Sequence, residues 1–97
     1  LEMVDLDQVV HARADDNYTH IHLVGGKRYL VSRTLKDVAE GLPEGRFFRV
    51  HQSHVVALDK IDRYVRGAGG YVVLVNGEQL PVARGRKDEL LKLLEGR

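Results

Sequence analysis

Three observations predict a mainly β fold with short helices. The segment YTHIHLV alternates Tyr18, His20 and His22 with Thr19, Ile21 and Leu23, so one strand face is apolar and the other polar. Glycine pairs and turn dipeptides cut the chain into short pieces, and Asn76-Gly77 is the strongest local hairpin signal among them. Helical spacing of apolar residues is confined to two short stretches.

In chain order, Gln8 to Ala14 reads as a first strand and Asp15-Asp16-Asn17 as a polar turn. YTHIHLV is the second strand, and Gly25-Gly26 turns the chain into a third, KRYLVSR, which makes a meander. Thr34 precedes LKDVAEGL with Asp37 three residues on, close to a capping box, and Leu35, Val38, Ala39 and Leu42 share one side of the helix that follows. Pro43 lies just beyond its expected stop at Gly41 to Leu42. A strand at Phe47 to Val50 is followed by a polar break, a second strand near His54 to Ala57 and a turn through Asp59-Lys60. YVRGAGGYVVLVNGEQLPV is a pair of hairpins. The last element, Gly85 to Glu95, places Leu90, Leu91 and Leu94 as a docked amphipathic helix would and stops before Gly96.

Length and composition set the bounds. The 97 residues, 43% of them hydrophobic, fill one domain over residues 1–97, with a single core and no internal repeat or linker. The chain opens on Leu1 and reaches its first methionine at Met3, which reads as a piece of a longer protein. There is no cysteine, which removes disulfides and thiolate metal sites and suits a reducing cytoplasm. The longest apolar run, YVVLV at 71–75, is far too short for a membrane helix. Net charge is only +1, but it is unevenly spread: residues 1–45 carry 5 Lys/Arg against 8 Asp/Glu, and residues 46–97 carry 10 against 6. The basic half is the place to seek an anionic partner.

Within that half, FFRVHQSHVVAL begins and ends as a buried strand yet breaks into His51-Gln52-Ser53-His54. An unpaired polar group in an apolar core costs about 1–3 kcal/mol, so a bend that carries these side chains to the surface is cheaper. Arg84, Arg86 and Lys87 stand at the start of the last helix, where the dipole disfavours a cation by about 0.3–1 kcal/mol. An external anion at the free N–H groups would remove that conflict.

FFRVHQSHVVALDKI, followed after a hairpin by NGEQLPVARGRKDELLKLL, resembles the signature of the LytTR-type DNA-binding domain, the output module of LytR/AlgR-family bacterial response regulators. The resemblance runs from DLDQVVHARADDNYTHIHL through SRTLKDVAEGLPEGRF to the last helix. It implies an elongated stack of small antiparallel sheets with short helices that reads double-stranded DNA with loops. It further implies homodimers on paired sites, a bent duplex, an N-terminal receiver domain in cis, no cofactor, no metal and no catalysis.

Carried onto this chain, the resemblance puts Asn17 and Tyr18 in a first contact loop, Gln52 between the His and Ser of the family's His-x-Ser motif, and Arg84 just after the last strand. Two positions depart from the pattern: Ala57 replaces a common Asn and Ala83 a common Ser, each removing a polar group. A glutamine amide offers a donor and an acceptor, the pair that matches adenine N6 and N7, or it can cap local backbone. Arg84 can fork onto guanine or onto phosphate. Arg49, Arg86 and Lys87 are candidates for positioning phosphates, and Ser53 for capping the turn or reaching a phosphate. His51 is expected to tie the loop to the backbone.

Two rival classes come from the same residues. His20 and His22 on one strand face, with His51 and His54 close together in sequence, hint at a metal enzyme, but no further ligand motif accompanies them. Ser53 between two histidines lacks a nucleophile-elbow pattern. A small β protein-interaction module is the remaining alternative, separable from DNA binding by its insensitivity to competitor DNA.

Overall fold

A computed structural model describes residues 4–96; residues 1–3 and 97 of the expected domain lie outside that range. The meander is present as β1 (Val9–Asp15), β2 (Tyr18–Leu23) and β3 (Arg28–Val31), paired antiparallel. Its first turn puts Asp16 at φ 55°, a left-handed conformation that Asp tolerates better than most residues. In the second, Gly25 and Gly26 both take φ 86°, which a side chain would strain.

The Thr34 hydroxyl accepts the Asp37 N–H at 3.2 Å and caps α1 (Leu35–Glu40). This helix ends earlier than its apolar spacing suggests because the Gly41 N–H closes onto the Val38 carbonyl at 3.1 Å, tightening the last turn. β4 (Phe47–His51) and β5 (His54–Ala57) follow, and β5 inserts beside β1, so the large sheet runs β3-β2-β1-β5-β4. A second sheet, β6 (Ile61–Val65), β7 (Tyr71–Leu74) and β8 (Gln79–Pro81), runs in chain order. The Asn76-Gly77 hairpin forms with a longer loop than the dipeptide alone implies: the Gly77 N–H reaches the Leu74 carbonyl at 2.9 Å and Gly77 takes φ 89°.

The final helix, α2 (Lys87–Glu95), starts later than expected. Residues Arg84–Arg86 form a separate 3-10 turn, closed by the Arg86 N–H on the Ala83 carbonyl at 2.9 Å.

Both faces of the large sheet are packed. Val9, Ala12, Ile21, Leu23 and Val55 lie with Leu35 of α1 on one side. On the other, Val10, Phe48, Val50 and Val56 meet Ile61, Val72, Leu74 and Leu80 of the small sheet and Leu90 of α2. A bulge between Val9 and His11 shifts the strand's alternation by one residue, so Val9 and Ala12 enter the same core although they are three apart, while Val10 enters the other. Leu90 is wholly buried and anchors α2, so the position of its first turn is fixed by the core between the sheets. Truncating such a leucine costs about 2–5 kcal/mol. The resulting stack measures 35 × 24 × 22 Å along its principal axes, elongated as the family resemblance implies.

Candidate nucleic-acid interface

Three turns converge at one end of the large sheet. Arg13 pairs with His54, which brings the end of β1 beside the start of β5, and the Ala14 N–H donates to the Ser53 carbonyl at 2.9 Å. The Asp16-Asn17 turn therefore stands next to the Gln52-Ser53 turn. On the other flank the Ala83 N–H donates to the Val50 carbonyl at 2.7 Å and fixes Arg84 near the end of β4.

The middle turn is the most tightly built. His51 and His54 form its closing pair, and His51 Nδ1 accepts the Ser53 N–H at 3.2 Å while lying 3.0 Å from Ser53 Oγ. His51 thus ties the loop to the backbone, the role its sequence position suggested, and Ser53 Oγ is engaged inside the turn. Arg49 Nη2 donates to the Gln52 carbonyl at 2.6 Å, so one of its nitrogens already braces this loop. With its backbone held, the Gln52 side chain is exposed and makes no hydrogen bond to another described residue. The polar break is a rigid turn that presents one free amide.

The first loop is held as firmly. His20 Nε2 lies 2.8 Å from Asp15 Oδ2, and buried Thr19 donates its hydroxyl to the Arg33 carbonyl at 2.8 Å. Tyr18 is 46% exposed, so its ring is available to a partner, and Asn17 is exposed beside it.

In the third segment Arg84 and Arg86 are exposed and Lys87 partly so. Among the described residues none of the three forms an ion pair. α2 has no side-chain cap at its start, and Asp88 and Glu89 in its first turn offset the dipole next to the basic residues.

Two hollows extend this surface with residues that sequence reasoning missed. One, of about 340 Å³, is lined by Asp16, Lys36, Arg49, Gln52 and Ser53 among others; Lys36, a cation in the first turn of α1, is the addition. The second, of about 330 Å³, joins Arg84 and Lys87 to the glycine-rich β6–β7 loop, where exposed Arg66 is a further cation. A Cβ at Gly70 in this loop would lie 2.0 Å from the Tyr64 hydroxyl and 2.8 Å from its ring, so only glycine admits that ring.

The departures from the family pattern have plain consequences. Ala57 is 2% exposed and reaches no partner outside the core. Ala83 acts through its backbone alone, donating its N–H to Val50 and accepting the Arg86 N–H.

Behind the loops lies a histidine cluster. His11 and His22 stack with ring centroids 4.2 Å apart, and His54 meets His11 edge-on at 6.4 Å. His11 Nε2 lies 3.0 Å from Glu78 Oε2. Burial pushes all three imidazoles down, His22 and His54 to about 4, and the neighbouring rings add to the effect in those two. For Glu78, burial raises the carboxyl, but hydrogen bonds from Asn76 and His11 outweigh it and hold it below its ordinary value. The two strand histidines singled out in the sequence are thereby separated: His20 turns to Asp15 and His22 to His11.

A mainly β stack that presents ordered polar turns and exposed cations at one end is the class of small β module suited to an anionic partner. The chain belongs to the LytTR family: the family model described as LytTr DNA-binding domain matches residues 1–95. It is 31% identical over 88 residues to an uncharacterized response regulatory protein of Vibrio cholerae, covering 87% of this chain and 34% of the relative. It is 30% identical to the sensory transduction protein LytT of Bacillus subtilis, covering 95% and 39%, and 30% identical to the CO-responsive transcriptional regulator RcoM of Rhodospirillum rubrum, covering 96% and 40%. The chain thus spans only about a third to two fifths of these relatives. The solved LytTr DNA-binding domain of a putative methyl-accepting/DNA response regulator from Bacillus cereus superposes with a TM-score of 0.82 at 24% identity, over 94% of this chain and 84% of that one, and shows the same fold.

Proposed function

We propose that this DNA-binding domain is the output module of a larger bacterial transcriptional regulator and reads double-stranded DNA in a sequence-specific way through its three converging turns. The observation that carries the reading is the pair of backbone hydrogen bonds, Ala14 to Ser53 and Ala83 to Val50, that gathers the turns into one surface.

In this reading Gln52, exposed on a rigid turn, reads a base edge in the major groove. Arg84 contacts a base or a phosphate, and Asn17 and Tyr18 contact the duplex from the first loop. Arg86 and Lys87 hold phosphates and set the register, joined by Lys36 and Arg66. Arg49 places the Gln52 backbone and turns its remaining donors to phosphate; Ser53 keeps the turn closed.

The names of the Vibrio cholerae and Rhodospirillum rubrum relatives, a response regulatory protein and a transcriptional regulator, support a regulatory setting. An upstream receiver domain in cis, homodimers on paired sites and a cytoplasmic location complete the proposal. No helix among the described residues is long and apolar enough to cross a membrane. No cofactor or catalytic step is part of it.

Selection from a randomised duplex pool, followed by titration of the enriched site at two salt concentrations, tests the reading. It predicts an enriched paired motif and a log–log salt slope of about −0.9 per neutralised phosphate. Absence of enrichment together with salt-insensitive binding would move the chain to the protein-interaction class.

A further inference from the structure

The histidine cluster behind the loops has the donor set of a metal site. His11 on β1 and His22 on β2 are register partners of the large sheet, whereas Glu78 comes from the β7–β8 loop of the small one. One donor atom from each lies within 4.8 Å of the other two. His11 presents Nε2 to Glu78, and the His22 Nε2 nitrogen is buried without a hydrogen-bond partner. A buried imidazole nitrogen left in this way is either a cost to the fold or a ligand in waiting.

Glu78 is also braced from behind. Asn76 Nδ2 donates to Glu78 Oε1 at 2.6 Å, and the Glu78 N–H donates to Asn76 Oδ1 at 3.0 Å, which leaves Oε2 facing the histidines. Outer partners of this kind hold ligating side chains in known metal sites. At 41% exposure the glutamate side chain gives an ion a way in from solvent and room to close on it.

We propose that His11, His22 and Glu78 bind one divalent transition-metal ion of the zinc class, which ties the first two strands of the large sheet to the β7–β8 loop of the small one. Two imidazole nitrogens and one carboxylate oxygen are a set that zinc accepts, with water in the remaining position. Nitrogen donors favour such an ion over magnesium or calcium, which take oxygen ligands. Zinc bonds of about 2.0–2.2 Å draw the three donors together, so binding closes the loop onto the sheet. The proposal departs from the sequence expectation of no metal, because Glu78 lies 67 residues from His11 and no motif links them. It is independent of the DNA-binding reading.

The test is calorimetric titration of the untagged, chelator-treated chain with zinc sulfate and, separately, magnesium sulfate, with the thermal midpoint followed alongside. The expected result is one saturable zinc equivalent per chain, a midpoint that climbs with zinc concentration, and no response to magnesium. Glu78→Gln keeps an acceptor for Asn76, so its metal-free midpoint stays near that of the wild type while its zinc affinity drops at least about tenfold. His22→Ala loses the saturable site. Absence of saturable zinc binding overturns the proposal, as does binding that survives unchanged in both variants, which would assign it to other histidines such as His20 or His51.

Discussion

Replacing Gln52 by alanine separates base reading from every other role of its loop. The turn is held by backbone and neighbouring groups: Arg49 Nη2 on the Gln52 carbonyl at 2.6 Å, the Ser53 N–H on His51 Nδ1 at 3.2 Å and the Ala14 N–H on the Ser53 carbonyl at 2.9 Å. None of these bonds uses the Gln52 amide, so the variant should keep its stability within about 0.5 kcal/mol. On DNA the loss is that of one bidentate base contact, about 1–3 kcal/mol, or about 5- to 150-fold in affinity. The assay is fluorescence anisotropy on the selected site and on three duplexes that carry the other base pairs at the contacted position. Wild type discriminates among the four, and Gln52→Ala binds them nearly alike with an unchanged salt slope. An equal loss on all four duplexes, with the base preference intact, would refute base reading by this residue.

Further predictions follow from the same geometry. Arg86→Ala should weaken binding to all sequences alike and reduce the magnitude of the salt slope by about 1, read from titrations at several salt concentrations; a loss confined to one sequence would make it a base reader. Gly70→Ala should cost about 1–3 kcal/mol in urea unfolding because its Cβ meets the Tyr64 ring, whereas Gly69→Ala, with nothing within 4 Å of its Cβ, should be far milder. Acid should destabilise the chelator-treated chain in a defined window. His22 and His54 stay neutral in the fold down to about pH 4, but take up protons near their ordinary 6.5 once unfolded. Between those values the unfolded chain binds more protons, so stability is complete above the window and falls as the pH is lowered through it. A urea midpoint flat from pH 7 to pH 4 would contradict those shifts.

Local features were legible in the sequence and long-range ones were not. Alternation fixed β2, the Thr34 cap fixed the start of α1, and the break at Gln52-Ser53 fell where β4 turns into β5, because turn and cap chemistry act within a few residues. The insertion of β5 beside β1 pairs segments some 40 residues apart, and nothing in either strand's periodicity specifies its neighbour. The bulge at Val10 is likewise invisible in the run Val9-Val10-His11, yet it decides that Ala12 enters the same core as Val9 and not that of Val10. The start of α2 was misplaced at Gly85 because apolar spacing cannot distinguish an α turn from the 3-10 turn that carries Arg84. For the surface, Gln52 and Arg84 stood out through the family motif. Lys36 was overlooked because it reads as an ordinary solvated cation until the fold sets it in the hollow with Arg49 and Gln52, and Arg66 because nothing local connects its glycine-rich loop with Arg84 and Lys87.

The most direct test of the central claim is the amide spectrum of the isotopically labelled chain, followed by NMR as the selected duplex is added. The account predicts shifts concentrated at Asn17 and Tyr18, at residues 49–53 and at residues 84–87, with β3 at the far edge of the large sheet unaffected. Shifts centred on β3, with the three turns silent, would contradict it.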